Sequence, residues 1–174
     1  MHVVILSTGG TIEKTFNEND GSLRNVGSVL DHILGRLRLH DLTVSHVRIM
    51  SKDSLEMTDS DRDTILKAVK ESLPGGDAVL VVHGTDTLAL TGEHLQKNLP
   101  VLDKPVVLTG AMRPYEFRDS DASQNLTEAL LACRLLPAGV YVAMHSQVLR
   151  FPGVTKDRSR MTFVGGGERG VVGP

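Results

Sequence analysis

Four stretches of this chain are apolar at every position and only a few residues long: Val3-Val4-Ile5-Leu6, Ala78-Val79-Leu80-Val81-Val82, Val106-Val107-Leu108 and Val140-Tyr141-Val142-Ala143-Met144. A strand with one wet face alternates apolar and polar residues, so uninterrupted runs of this length predict strands covered on both faces. Sheets of that kind are parallel, because the helices that cross over between their strands are what cover them. The intervening segments supply those helices. Val26, Val29, Leu30, Ile33, Leu34 and Leu37 recur at helical spacing, as do Ile65, Leu66, Val69 and Leu73 within 59–73. Thr58 and Asp61 form a capping pair ahead of that second helix, and Pro74-Gly75-Gly76 stops it. Further helices are predicted over 87–98 and 120–136, the latter with Leu126, Ala129, Leu130 and Cys133 inward and Pro137 at its end. Residues 43–50 alternate and predict one more strand. Right-handed crossovers between such units give an α/β fold in three layers: a mostly parallel sheet with helices on both faces, flavodoxin- or Rossmann-like.

The length of 174 residues suits one domain, read as 1–160, with a glycine-rich tail over 161–174. The run Gly165-Gly166-Gly167-Glu168-Arg169-Gly170 follows no clear strand and opens no helix, so it reads as a terminus rather than a phosphate loop. Residues 11–23 are polar, with Asn17-Glu18-Asn19-Asp20-Gly21 at their centre, and predict a mobile loop. A net charge of −2 and an aromatic content of 3% speak against nucleic acid or an anionic membrane as partner. The single cysteine, Cys133, has no internal partner and reads as a buried, inert thiol, which fits a reducing compartment. The chain begins directly with a strand, shows no signal peptide, and has no apolar run of membrane-spanning length, so a cytoplasmic location is expected. Its seven histidines are scattered without metal-ligand spacing, and no metal is expected.

Chemistry collects after the strands. The first is followed by Thr8-Gly9-Gly10-Thr11, the second by Lys52-Asp53-Ser54, the third by His83-Gly84-Thr85-Asp86-Thr87, the fourth by Thr109-Gly110-Ala111-Met112-Arg113, and the fifth, after a loop, by Lys156. In a parallel sheet these segments gather at one edge, where ligands bind. One pocket then holds hydroxyls, an acid, a lysine and backbone amides, a set suited to covalent acyl transfer. A threonine hydroxyl is a weak nucleophile until a neighbour takes its proton, and a lysine kept neutral serves as that base. The Gly9-Gly10 pair lets backbone approach a ligand and turns amides toward an oxyanion. Each residue alone has a plainer reading: Thr8 and Thr11 as turn residues, Thr85 and Asp86 as helix caps, Ser54 in a turn, Lys156 as a solvated charge, His83 as a half-buried turn histidine, and Met112-Arg113-Pro114 as a structural turn.

Taken together, Thr8-Gly9-Gly10-Thr11-Ile12, then His83-Gly84-Thr85-Asp86-Thr87, then Gly110-Ala111-Met112-Arg113-Pro114 resemble the bacterial-type L-asparaginase family in order and separation, over about residues 2–160. Members usually carry a second, C-terminal domain, so the chain resembles a short, single-domain branch. The resemblance implies Thr11 as nucleophile, and Thr85 as the threonine that helps activate the attacking hydroxyl or water. It implies Asp86 as the group that holds the substrate's α-amino end, Ser54 as the group that holds the α-carboxylate, and Lys156 as the lysine paired with Thr85. Gly10 and Ala111 would complete the substrate-binding set. Three departures stand out. The family's assisting loop tyrosine falls on Phe16, which has no hydroxyl. Leu55 occupies a position that is polar in many relatives. The longer enzymes also complete their site from a neighbour's C-terminal domain, so selectivity here is looser or built differently.

The expected function is therefore hydrolysis of L-asparagine to L-aspartate and ammonia through a threonine nucleophile, without cofactor, in a homo-oligomer (dimer or tetramer). The rivals are a glutaminase or other amino-acid amidase on the same fold, a non-catalytic amino-acid-binding module, and a nucleotide-binding protein using Thr8 to Thr11 as a phosphate loop. The last lacks the lysine such a loop carries.

Overall fold

The computed structural model describes residues 1–25 and 29–165. In chain order the first half forms β1 (His2–Ser7), β2 (Lys14–Phe16), β3 (Leu23–Asn25), α1 (Val29–Arg36), β4 (Thr43–Arg48), α2 (Asp59–Ser72) and β5 (Ala78–Val82). The second half forms α3 (Leu88–Asn98), β6 (Pro105–Thr109), α4 (Ala122–Leu135), β7 (Gly139–Met144), β8 (Gln147–Arg150), β9 (Val154–Asp157) and β10 (Thr162–Gly165). The central sheet has the order β4-β1-β5-β6-β7-β8; its first five strands are parallel and β8 is an antiparallel edge. This is the expected three-layer α/β architecture.

The uninterrupted apolar runs are explained by two cores on opposite faces of this sheet. Val3, Ile5, Ala78, Leu80 and Val107 point to the side covered by α1 and α4. Their neighbours Val4, Leu6, Val79, Val81, Val106 and Leu108 point to the side covered by α2 and α3. Alternate residues of each strand face opposite ways, so a strand buried on both faces is apolar at each step. β4, at the edge, is the strand whose sequence alternates, and its residues are half-buried or exposed. Thr58 caps α2 as expected, with a reciprocal bond from its backbone to the Asp61 side chain at 2.7 Å. Cys133 is buried on α4, where burial pushes its thiol up to about 12.

Three segments differ from the sequence reading. Residues 11–23, read as a mobile loop, contain regular structure: a 3-10 turn at Thr11–Glu13 runs into the β2–β3 hairpin, which pairs Lys14 with Asn25, Thr15 with Arg24 and Phe16 with Leu23. Strands of three residues are too short to carry an apolar alternation that would betray them. After β7 the chain reverses through His145 and Ser146, both at positive φ (54° and 60°), into β8, an arrangement that matches the twist of a tight hairpin. β9 and β10 then form a second hairpin, so Thr162–Gly165, read as the start of a tail, is a strand with Phe163 buried. The rest of the glycine-rich stretch lies outside the described residues, as does the predicted helical start at Val26; α1 is described from Val29.

Candidate active site

The loops after β1, β4, β5 and β6 converge on three residues, His83 to Thr85. β1 and β5 are sheet neighbours at the point where strand order reverses, which is where open α/β sheets leave a crevice. Thr8 stitches the loops: its amide and hydroxyl both donate to Val82 O, at 3.0 and 3.1 Å, and its carbonyl accepts from Lys52 N at 3.0 Å. That leaves Thr8 a structural residue, as its plainer reading held. Gly10 has φ +88°, and a Cβ there would collide with Gly84 Cα. A Cβ on Gly84 would lie 2.6 Å from Ser54 Oγ. Backbone therefore meets backbone where the turn before Thr11 touches the turn before Thr85, with Ser54 pressed against Gly84. From the other side Gly110 abuts His83 O, next to Ala111, which is buried.

The β5 turn is held by bonds that sequence reasoning assigned otherwise. His83 is wholly rather than half buried, and its amide donates to Thr109 O at 2.8 Å. Its Nδ1 faces Gly84 O at 2.7 Å and its Nε2 faces Thr91 Oγ1 at 2.9 Å. The carbonyl only accepts, so these partners assign the proton to Nδ1. Burial lowers the imidazole to about 4 and keeps it neutral, a brace with no free nitrogen for a proton transfer. Thr85 and Asp86 do not cap α3; its N-cap is Thr87, whose hydroxyl instead donates to Ser54 O at 2.8 Å. Lys156 Nζ donates to Thr85 Oγ1 at 2.8 Å and to Asp86 Oδ1 at 2.9 Å. Arg158 reaches the same Asp86 oxygen at 3.5 Å.

Lys156 arrives from β9, a strand absent from the sequence reading. The β9–β10 hairpin brings Val154 and Phe163 into the same core as Leu88 and Leu95 of α3, and the Phe151 ring lies on Gly92. Packing on the far side of α3 thus aims a lysine back at the start of that helix. Ser54 is buried and opens a 3-10 turn, with Asp53 accepting from Leu55 N at 3.0 Å.

Thr11 is half-buried at the base of the β2–β3 flap. Two bonds that no motif announced fasten the flap on either side. Lys14 Nζ pairs with Asp53 at 2.7 Å, and Phe16 N donates to Glu116 Oε2 at 2.7 Å. The Lys14 bond, with that from Leu55 N, holds the Asp53 carboxyl below its ordinary range. The Phe16 side chain is 55% exposed on the flap. The Met112-Arg113 turn has its expected structural role: both amides donate to Asp121 at 3.0 Å, while Arg113 pairs with Asp119.

The sequence matches the family model for the asparaginase N-terminal domain over residues 2–163. The chain belongs to the asparaginase family. It is 33% identical over 162 residues to the L-asparaginase of Thermococcus kodakarensis, covering 91% of this chain and 48% of that relative. The solved structure of the thermostable L-asparaginase from Thermococcus kodakarensis superposes with a TM-score of 0.83 at 32% identity, over 95% of this chain and 51% of that one. A glutamyl-tRNA(Gln) amidotransferase component from Metallosphaera sedula is 33% identical over 148 residues, 83% of this chain and 34% of its own length. The chain thus spans about half the length of the asparaginases it matches. Among its described residues no helix is long and apolar enough to cross a membrane.

Proposed function

We propose that this asparaginase-family domain hydrolyses the side-chain amide of L-asparagine, yielding L-aspartate and ammonia. The observation that carries the reading is Lys156 Nζ, bonded at once to Thr85 Oγ1 and Asp86 Oδ1 at a sheet edge where Thr11 and Ser54 also lie. Thr85 Oγ1 keeps a second lone pair to accept a proton across the pocket, while its own proton can pass to Lys156 Nζ when that amine is neutral. Thr11 Oγ attacks the amide carbon and gives its proton to Thr85 Oγ1 as Thr85 gives its own to a neutral Lys156 Nζ. The tetrahedral oxyanion is met by backbone amides near Gly10 and Thr85. The C–N bond breaks, the nitrogen takes a proton and leaves as ammonia, and water then cleaves the acyl-threonine. Asp86 receives the α-ammonium, Ser54 the α-carboxylate, and Ala111 lines the pocket. This route uses no cofactor. Buried Cys133 fits a cytoplasmic enzyme, and the family reading favours a homo-oligomer.

A glutamine amide is the second reading, favoured by the identity to a protein named for glutamyl-tRNA(Gln) amidotransferase. One assay decides: ammonia release from L-Asn, L-Gln and their D-forms. L-Asn should be the preferred substrate, and Thr11→Ala should abolish release while leaving the circular-dichroism spectrum unchanged. Unchanged turnover in that variant removes Thr11 as nucleophile. Binding of asparagine by calorimetry without ammonia at any protein concentration makes the domain a binding module instead.

A further inference from the structure

Glu13 closes the turn that begins at Thr11: its amide donates to Gly10 O at 3.1 Å, and the amide of Lys14 bonds to Thr11 O. Its side chain is 0% exposed, and neither carboxyl oxygen has a hydrogen-bond partner among the described residues. An apolar residue would fill such a place without cost, whereas an acid without donors must keep its proton to remain buried. The charged and titratable groups around it among the described residues are His46 and Arg48 on β4 and Asp31 on α1, with the Ser7 hydroxyl on β1. Burial raises the Glu13 carboxyl and Asp31 adds to this. Arg48 and His46 oppose it, as does Ser7, which meets neither oxygen in hydrogen-bond geometry. His46 is itself committed, with Nδ1 at 2.7 Å from Asp31 Oδ1 and Nε2 at 2.9 Å from Ser7 Oγ.

We propose that Glu13 is a positioning residue for Thr11: its protonated carboxyl, sealed between the turn and the β1–β4 pair, holds the nucleophile in place, and loss of that proton opens the turn and the flap. The chain passes from Glu13 directly into β2, which is fastened by the Lys14–Asp53 and Phe16–Glu116 bonds. Bonds of that solvent-accessible kind are far weaker than an uncompensated buried charge. An ionised Glu13 is therefore relieved most cheaply by moving the turn rather than by disturbing the sheet. The inference rests on Thr11 as nucleophile only for its effect on catalysis; the coupling between the proton and the turn stands apart from it.

The test uses the whole chain labelled with 13C at glutamate carboxyls, alongside Glu13→Gln, a neutral isostere. The Glu13 carboxyl should titrate above its ordinary 4.5. Across that titration, amide exchange at Lys14 and Thr15 should rise at least tenfold beyond the intrinsic dependence on pH in the wild type, and not in Glu13→Gln. Over the same range kcat/KM of the wild type for asparagine should fall at least tenfold while Glu13→Gln holds its value. Exchange that follows the intrinsic dependence in both proteins, or parallel kinetic profiles, overturns the proposal. The carboxyl and exchange measurements on the wild type decide it even where the variant fails to fold. An exchange step with no turnover of any amide supports the coupling while removing the proposed activity.

Discussion

The two threonine turns at the sheet edge are alike in sequence and unlike in construction. The turn after β5 is sealed: His83 is wholly buried and bonded through both ring nitrogens, and Thr85 and Asp86 are both bonded to Lys156. The turn after β1 is fastened from outside: its flap is held by a half-buried ion pair and one backbone bond, and it closes over an acid with no hydrogen-bond partner among the described residues. Preorganisation is therefore uneven. The half proposed to bind and activate is fixed before substrate arrives, whereas the half that carries Thr11 has its geometry set by weaker ties. A pocket built this way keeps its electrostatics constant and lets only the flap respond to the ligand.

That contrast breaks first where the two turns touch. Gly10→Ala places a side chain at φ +88° against the Gly84 backbone, and should cost about 3 kcal/mol of stability together with all measurable ammonia release. Thermal unfolding and the amidase assay read the two losses; a variant with wild-type activity would show that the turns need not meet. Lys156→Ala removes the group that orders Thr85 and Asp86, and should lower kcat by about a hundred- to ten-thousandfold with a modest change in KM. A loss confined to KM would make Lys156 a substrate ligand instead.

The sealed turn also predicts an acid limit. His83 is held at about 4 when folded against 6.5 for the unfolded residue, so the unfolded chain takes up a proton that the folded chain refuses. Its stability is fully present above pH 6.5 and falls as pH drops towards 4, by up to roughly 3 kcal/mol. Urea midpoints at pH 7, 5.5 and 4 should show this slope in the wild type and a flatter one in His83→Gln. The open turn is more tolerant. Lys14→Ala should cost no more than about 1 kcal/mol, and less as salt is raised, a difference that denaturation at low and high ionic strength resolves. Phe16→Tyr should change kcat by less than about twofold, because a hydroxyl added to a half-exposed flap residue enters no proton path; a large gain would show that the flap folds further inward during turnover.

The sealed half was the more legible in the sequence. Continuous apolar runs reported doubly covered strands, and the glycine and hydroxyl residues after them reported a site, because backbone constraint and burial act on each residue directly. Lys156 could be placed at the sheet edge, but its pairing with Thr85 came only from the family resemblance: its position depends on a hairpin of short, half-exposed strands whose packing on α3 is a long-range event. The plainer reading of Thr85 and Asp86 as caps failed for the same reason, since the lysine that claims them lies 70 residues or more along the chain. The flap was unreadable because its polar strands pair through backbone and are tied by Asp53 and Glu116, acids that look like any solvated charge. Glu13 is the instructive miss. A charged residue between a turn and a polar segment reads as surface, and only the fold reveals that the segment doubles back and buries it.

The meeting of Gly10, Ser54 and Gly84 also bears on how such a domain can diversify. Any side chain at Gly84 would displace Ser54, so the crossing point admits no gradual variation, and selection for a new amide has little to work on there. The flap and its fastenings, Lys14, Phe16 and Glu116, carry no such backbone collision, so replacement there leaves the floor in place. The sheet edge then serves as an inherited chassis, and the hairpin above it as the part that evolution is free to retool.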